Sequence, residues 1–196
     1  MPKGLILLDR DGVLNSLFID PEQGTIDSPL HPHQVHLIEG AAEAVAMLTQ
    51  AGYALSIVSN QPAAAKGKTT RHNLDLVQEK VISLVEAQGG RISSSHLCFH
   101  RQEDLCSCRK PKTGLLEEAI KKNTAGETTP IWIVGDGITD IQAGKALGLE
   151  TAFIATHKCE TCQQLLEHNL KPTWWVSSLF QFSMQMTSEK KGKTHV

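Results

Sequence analysis

Short apolar runs alternate with amphipathic stretches along this chain, and this alternation limits its fold more than any other feature of the sequence. Strands are predicted at Gly4–Leu8, Ala54–Val58, Ser95–Phe99, Ile131–Val134, Thr151–Ile154 and Trp174–Val176. Helices are predicted at 40–51, 69–88, 113–123, 139–147 and near 160–168, with a last helical turn after the final strand. Strands and helices that alternate at this spacing predict an α/β fold, a mostly parallel sheet with helices on both faces.

The length of the chain fits one domain with a genuine core, since 40% of its 196 residues are hydrophobic. We expect this domain to span 1–187 and a polar tail to occupy 188–196. Residues 16–38 interrupt the alternation with proline, aspartate and three histidines. They predict a long loop, with room for a short strand, and loops of this length are often functional.

Charge and hydropathy narrow the range of partners. The net charge is −2, whereas proteins that bind nucleic acid without sequence preference are usually basic. Apolar runs stay well short of the ~18 residues that span a membrane. Five cysteines, an odd number in a chain long enough to need no disulfide, favour metal binding or plain thiols. We therefore expect a cytoplasmic monomer with a small-molecule ligand, and neither nucleic acid nor membrane as a partner.

Polar residues follow four of the predicted strands. They are Asp9, Arg10 and Asp11 after the first strand, Ser59, Asn60 and Gln61 after the second, Arg109 and Lys110 some way after the third, and Asp136 with Asp140 after the fourth. The carboxyl ends of parallel strands share one edge of the sheet, where ligands bind in open α/β folds. The sequence therefore predicts that these groups meet in a single site.

The predicted site has the composition of a phosphoryl-transfer centre. Three carboxylates at one edge repel each other unless a hard cation neutralises them, and carboxylate and carbonyl oxygens suit Mg²⁺. Lys110 and the Ser59 hydroxyl complete a cradle for phosphate. Of the two aspartates in 9–11, one can act as a nucleophile and the other can exchange a proton. Asp140 either supports the residues that contact the ligand, or it is present because a carboxylate is favourable at the N-terminus of a helix.

A second cluster holds cysteine and histidine. Cys98, His100, Cys106 and Cys108 follow a C-x-H-x5-C-x-C spacing, and three thiolates with one imidazole are a common structural zinc set. Zinc would order the short loop 98–108 and fix Arg109 and Lys110, which follow it. The alternative is a group of unrelated thiols beside a surface histidine.

Further cysteines and histidines lie outside these two clusters. Cys159 and Cys162 follow His157, but two thiols and a histidine do not fill a metal shell, so a surface turn is favoured. His31, His33 and His36 lie in the 16–38 loop; exposure on the loop surface is favoured, and contact with substrate is the alternative.

Four short segments carry a resemblance to a known family. DRDGV (9–13), SNQ (59–61), RKP (109–111) and GDGITD (135–140) resemble, in this order, the motifs of the haloacid dehalogenase superfamily of phosphohydrolases. The segments 59–67 and 98–111 are similar to those of its zinc-containing group, which includes phosphatases of heptose 1,7-bisphosphate and of histidinol phosphate. The resemblance implies a Rossmann-like fold without a large cap domain.

The resemblance also implies a role for each matching residue. Asp9 would attack phosphorus, and Asp11 would protonate the leaving group and then activate water. Mg²⁺ would bind the Asp9 and Asp136 carboxylates and the main-chain carbonyl of Asp11. Ser59 and Lys110 would hold the phosphoryl oxygens, and Asn60 and Arg109 would place the substrate. Zinc would bind Cys98, His100, Cys106 and Cys108.

The implied activity is Mg²⁺-dependent hydrolysis of a sugar phosphate, with heptose 1,7-bisphosphate preferred to histidinol phosphate. Two readings without catalysis remain open. A phosphoacceptor module of the response-regulator type would place its acceptor after the third strand. A zinc-stapled binding domain would not need a competent residue at every predicted catalytic position.

Overall fold

A computed structural model describes residues 2–20, 24–124, 130–155 and 159–188. The strands are β1 (Leu5–Leu8), β2 (Phe18–Asp20), β3 (Thr25–Asp27), β4 (Ala54–Asn60), β5 (Ser94–Cys98), β6 (Ile131–Gly135), β7 (Glu150–Ile154) and β8 (Trp174–Val176). The helices are α1 (Ala41–Gln50), α2 (Arg71–Glu86), α3 (Gly114–Thr124), α4 (Ile138–Ala146), α5 (Cys159–Glu167) and α6 (Leu179–Ser188).

Six of the strands form one parallel sheet in the order β5-β4-β1-β6-β7-β8. The chain builds outward from β1 in one direction through β4 and β5, and then in the other direction through β6, β7 and β8. Such a reversal of strand order opens a crevice at the carboxyl ends of the strands beside it. Here the crevice lies at the ends of β1, β4 and β6.

β1 is buried along its whole length, which shows that helices cover both faces of the sheet. Ile6 and Leu8 point into a core shared with α1, α2 and α6. Leu5 and Leu7 point into a second core shared with α3 and α4. Successive side chains of a strand face opposite sides, so one short apolar run supplies both cores. The predicted α/β fold with helices on both faces is confirmed.

The predicted elements are present, and the boundaries of those predicted with a range differ by at most two residues. The last predicted turn is a ten-residue helix, α6, whose buried residues include Phe182 and Met186. The segment 16–38 contains an antiparallel hairpin of β2 and β3 and a short 3-10 helix at Pro32–Gln34. Within the described residues, no cap domain is inserted after β1 or after β4.

Some predicted features lie outside the described residues. Ser188 ends α6, and 189–196 of the predicted tail are not described; the same holds for His157 and for the side chain of Cys159. Among the described helices, none is both long and apolar enough to cross a membrane.

Candidate active site

Asp9 and Lys110 meet directly at the carboxyl end of β1. The Asp9 main-chain N–H donates to the Val134 carbonyl of β6, which continues the pairing of the strands one residue beyond β1. The Asp9 carboxylate accepts hydrogen bonds from the Arg10 main-chain N–H at 2.8 Å and from Lys110 Nζ at 3.1 Å. Its side chain is 15% exposed, so it stays accessible to a ligand in the crevice.

Lys110 is buried and has three partners for its three N–H groups. Besides Asp9, its ammonium donates to the Val58 carbonyl at 2.6 Å and to Asp140 at 2.5 Å. Burial lowers the pKa of Lys110, but the carboxylates of Asp140 and Asp9 outweigh burial and raise it above its ordinary value. Lys110 therefore carries a fixed positive charge at the edge of the sheet.

Three carboxylates, those of Asp9, Asp136 and Asp140, offer oxygen atoms that all lie within 4.8 Å of one another. Asp140 is the third residue of α4, and its second oxygen accepts from the Gly137 main-chain N–H at 3.1 Å, as in a helix capping box. Burial raises the pKa of the Asp140 carboxyl to about 7, and the opposing effect of the Lys110 ammonium does not cancel that rise. Asp140 thus both begins the helix and holds Lys110, which joins the two alternatives the sequence left open.

Gly12 allows the first loop to approach Asp136 closely. Its φ is +82°, and a Cβ added there would stand 2.1 Å from the Asp136 carboxylate. A side chain at position 12 would therefore displace Asp136.

The Asp11 side chain lies outside this carboxylate cluster and is held by a network of hydrogen bonds. Arg10 donates to both of its oxygens at 3.1 Å, and Asn15 and Gln61 add hydrogen bonds of 2.8 and 2.6 Å. Burial alone would raise the pKa of Asp11, but the Arg10 charge and the hydrogen bonds from Asn15 and Gln61 lower it below its ordinary value. Asp11 is therefore a carboxylate in this state of the protein.

The other predicted binding residues lie beside this cluster. Ser59 ends β4 as a buried residue, and its hydroxyl accepts a hydrogen bond from Gln61 at 3.1 Å. The Asn60 side-chain amide pairs with the main chain of Lys110 in both directions, at 3.0 Å each. Arg109 donates to the His100 carbonyl at 3.2 Å. Asn60 thus holds the loop that carries Lys110.

Cys98, His100, Cys106 and Cys108 converge at the end of β5. Cys108 Sγ lies 3.2 Å from Cys98 Sγ, 3.5 Å from Cys106 Sγ and 3.3 Å from His100 Nδ1. Cys98 Sγ lies 3.6 Å from His100 Nδ1 and 3.7 Å from Cys106 Sγ. The four predicted zinc ligands therefore lie close enough together to hold one metal ion.

A cleft of about 410 Å³ opens between this loop and Lys110. Its lining includes Arg101, Arg109 and Lys112, together with Leu105 and Thr139. Small-molecule sites occupy roughly 300–1,000 Å³. The cleft therefore offers a cationic extension of the site, large enough for a small anionic molecule.

The structure thus brings every predicted site residue to one edge of the sheet. It also places Arg10, Asn15 and Gln61 there. The sequence predicted Arg10 and Gln61 at this edge without a role for either, and Asn15, just after DRDGV, was not predicted at all. His33 and His36 are exposed and His31 is half-buried, with the His31 and His33 rings stacked at 5.6 Å. Cys162 is a half-buried free thiol.

Comparison with known proteins gives consistent matches. The HAD-hydrolase-like family model matches residues 107–181. A D-glycero-beta-D-manno-heptose-1,7-bisphosphate 7-phosphatase of Neisseria meningitidis is 35% identical over 94% of this chain and 95% of its own length. The histidine biosynthesis bifunctional protein HisB of Legionella pneumophila is 31% identical over 83% of this chain, which corresponds to 44% of that protein.

Solved structures are also similar over nearly the whole of this chain. The crystal structure of D,D-heptose 1,7-bisphosphate phosphatase from B. bronchiseptica, complexed with magnesium and phosphate, has a TM-score of 0.80 and 26% identity. The match covers 95% of this chain and 99% of that one.

Proposed function

We propose that this protein removes the 7-phosphate of D-glycero-β-D-manno-heptose 1,7-bisphosphate with Mg²⁺. The chain belongs to the D-glycero-β-D-manno-heptose-1,7-bisphosphate 7-phosphatase family of haloacid dehalogenase-like hydrolases. The observation that carries the proposal is the meeting of Asp9, Lys110 and Asp136 at the edge of the sheet. Acting together, these groups can transfer a phosphoryl group, whereas each alone would serve a structural role.

The residues present fit a magnesium ion. The Asp9 and Asp136 carboxylates and the main-chain carbonyl of Asp11 would hold it, since Mg²⁺ takes oxygen ligands and keeps waters and substrate phosphate in its shell. Asp140 is less suited as a ligand, because Lys110 and the Gly137 N–H engage its two oxygens. The ion supplies charge that offsets the carboxylates and the phosphoryl oxygens.

The proposed reaction divides the chemistry between the two motif aspartates. Asp11, a carboxylate in the unliganded protein, first takes up a proton from solvent. A carboxylate oxygen of Asp9 then forms a bond to phosphorus as the ester P–O bond breaks, and the leaving oxygen takes that proton from Asp11. Water then attacks phosphorus while Asp11 takes its proton, and the Asp9–phosphorus bond breaks to release inorganic phosphate. Ser59 and Lys110 hold the phosphoryl oxygens; for Lys110, such an oxygen would replace the contact to Asp9.

The cationic cleft favours a bisphosphate over the nearest alternative. Arg101, Arg109 and Lys112 suit a second phosphate at the far end of the substrate. Histidinol phosphate carries an ammonium group and an imidazole ring and no second phosphate, and these cations would repel its ammonium group. The alternative rests on the similarity to the bifunctional histidine-biosynthesis protein, of which the match covers less than half.

We also propose that Cys98, His100, Cys106 and Cys108 bind structural Zn²⁺. Zinc–thiolate bonds of ~2.3 Å place tetrahedral ligands roughly 3.7 Å apart. The separations of 3.2–3.7 Å between these side chains fit such a tetrahedron.

The test is phosphate release with Mg²⁺ from heptose 1,7-bisphosphate and from histidinol phosphate, compared by kcat/KM. We expect the bisphosphate to be preferred, and a preference for histidinol phosphate would support the alternative. Asp9→Asn is the control: an amide is a poor nucleophile, so turnover should vanish while circular dichroism stays unchanged. Turnover by Asp9→Asn would overturn the assignment of the nucleophile, and inactivity of the wild type on both esters would count against the proposed activity.

A further inference from the structure

Gln61 occupies the centre of the buried network around Asp11. Its side chain is buried and has three partners. Nε2 donates to Asp11 Oδ2 at 2.6 Å and to Ser59 Oγ at 3.1 Å, and Oε1 accepts from Arg10 Nη2 at 2.7 Å. One amide therefore links the residue proposed to transfer protons with the hydroxyl proposed to hold the phosphoryl group.

Arg10 and Asn15 also donate hydrogen bonds to the Asp11 carboxylate. Oδ1 of Asp11 accepts from Arg10 Nε and Asn15 Nδ2, while Oδ2 accepts from Arg10 Nη2 and Gln61 Nε2. Each oxygen thus has two donors, which fixes both the direction and the plane of the carboxylate. The Gln61 main chain is itself fixed, because its N–H donates to the Cys98 carbonyl at 2.6 Å.

We propose that Gln61 is a positioning residue for proton transfer: it holds the Asp11 carboxyl group, together with Arg10, where the leaving oxygen of the substrate can reach it. This inference rests on the proposed function, because it assigns a role within the same site. Without the amide, Asp11 keeps its charge partner Arg10 but loses one of the two donors to Oδ2, so its side chain can rotate away from the leaving group. The defect would therefore concern protonation rather than the binding of phosphate.

Substrates with different leaving groups distinguish a defect in protonation from a defect in phosphate binding. In the first step the new bond joins Asp9 to phosphorus, the ester P–O bond breaks, and a proton that Asp11 has taken up from solvent goes to the leaving oxygen. An alkoxide needs that proton, whereas p-nitrophenolate leaves readily without it. Since kcat/KM reports the steps up to departure of the first product, loss of proton transfer should lower kcat/KM for an alkyl ester far more than for an aryl ester.

The experiment compares Gln61→Met with the wild type at saturating Mg²⁺, using p-nitrophenyl phosphate and the alkyl phosphate that the wild type hydrolyses best. General acid–base catalysis contributes roughly 100- to 10,000-fold, so partial loss of positioning should lower kcat/KM for the alkyl ester about 10- to 100-fold and leave the aryl ester within about threefold. Gln61→Leu also removes the donor to Asp11 and adds no charge beside that carboxylate. It should show the same selective loss, and it carries the test if Gln61→Met proves less stable in thermal melting.

Gln78→Met is the matched control. Gln78 is a buried glutamine of α2, and within the described residues neither its Nε2 nor its Oε1 has a hydrogen-bond partner. Its replacement should leave both rates unchanged.

Other outcomes would contradict the inference. Losses of equal size on both esters would mean that Gln61 acts on Ser59 and on phosphate binding, and unchanged rates would mean that Asp11 needs no such support. A wild type inactive on both esters would instead overturn the proposed function, so the two failures can be told apart.

Discussion

Lys110 is the residue on which the charges of the site depend. Its ammonium is buried between two carboxylates and holds both, at 3.1 Å from Asp9 and 2.5 Å from Asp140. Removing one member of a buried ion pair leaves the other charge without compensation, which is more costly than losing a surface contact.

Lys110→Met should therefore abolish turnover and lower the free energy of unfolding by about 3–5 kcal/mol. The measurement is urea denaturation at pH 7 without Mg²⁺, followed by an activity assay. Lys112→Met is the control for stability: Lys112 is exposed and donates to the carbonyls of Leu105 and Cys106, so its loss should cost much less. Wild-type stability of Lys110→Met would show that Asp9 and Asp140 do not need this counter-charge.

The spacing of the motifs predicted which residues lie in the site, but not which groups each side chain contacts. Asn60 was predicted to place substrate, yet its amide pairs with the Lys110 main chain. Asp11 was predicted to transfer protons, and the sequence did not indicate that Arg10, Asn15 and Gln61 hold its carboxylate. Side-chain direction depends on rotamers and on what packs nearby, and a motif does not encode these.

The loop between β5 and α3 is the element that connects the two clusters. It carries three of the four proposed zinc ligands, Cys98 being the last residue of β5, and Arg109 and Lys110 follow the last ligand directly. The described backbone of this loop contains only a short 3-10 helix at Gln102–Asp104, so little regular structure holds it in place. An ion bound to four side chains would supply that order.

Removing zinc should therefore loosen this loop and lower activity without removing Mg²⁺ binding, since the magnesium ligands lie on other loops. A zinc-selective chelator, metal analysis and limited proteolysis within 98–111 provide the measurement. Zinc added back should restore both the resistance to proteolysis and the activity. A zinc-free preparation with full activity would contradict this prediction.

Element prediction succeeded for the strands of the main sheet and for the helices, and it missed the exposed β2–β3 hairpin. β1 and β4 are apolar runs within the core, and the sequence indicated both. The β2–β3 hairpin was predicted only as a loop with room for one strand. Its cross-strand pair, Ile19 and Ile26, is exposed, so no burial pattern marks the hairpin in the sequence.

For the molecule as a whole, the order of the strands concentrates negative charge at one edge. Asp9 follows β1, whereas Asp136 and Asp140 follow β6, which is far from β1 in the chain but beside it in the sheet; this pairing brings the three carboxylates within 4.8 Å of one another. Their mutual repulsion opposes folding, and a divalent cation would relieve it.

Mg²⁺ should therefore stabilise the folded protein, by about 2.7 kcal/mol at a concentration 100 times its Kd. The measurement is the melting temperature against Mg²⁺ concentration, with zinc kept bound. Asp136→Asn should fold but lose most of the shift, because it lacks a proposed ligand. A wild-type melting temperature independent of Mg²⁺ would overturn the proposed magnesium site.

The sequence by itself determined the fold class and the edge of the sheet at which the site lies. Apolar runs must be buried, and the carboxyl ends of parallel strands share one edge, so DRDGV, SNQ, RKP and GDGITD could be placed together by these two rules. Only the tertiary structure decided which atoms meet. Arg10 and Gln61 donate to Asp11, and Lys110 donates to Asp140. These contacts depend on side-chain directions inside a packed interior, where each buried polar group needs a hydrogen-bond partner.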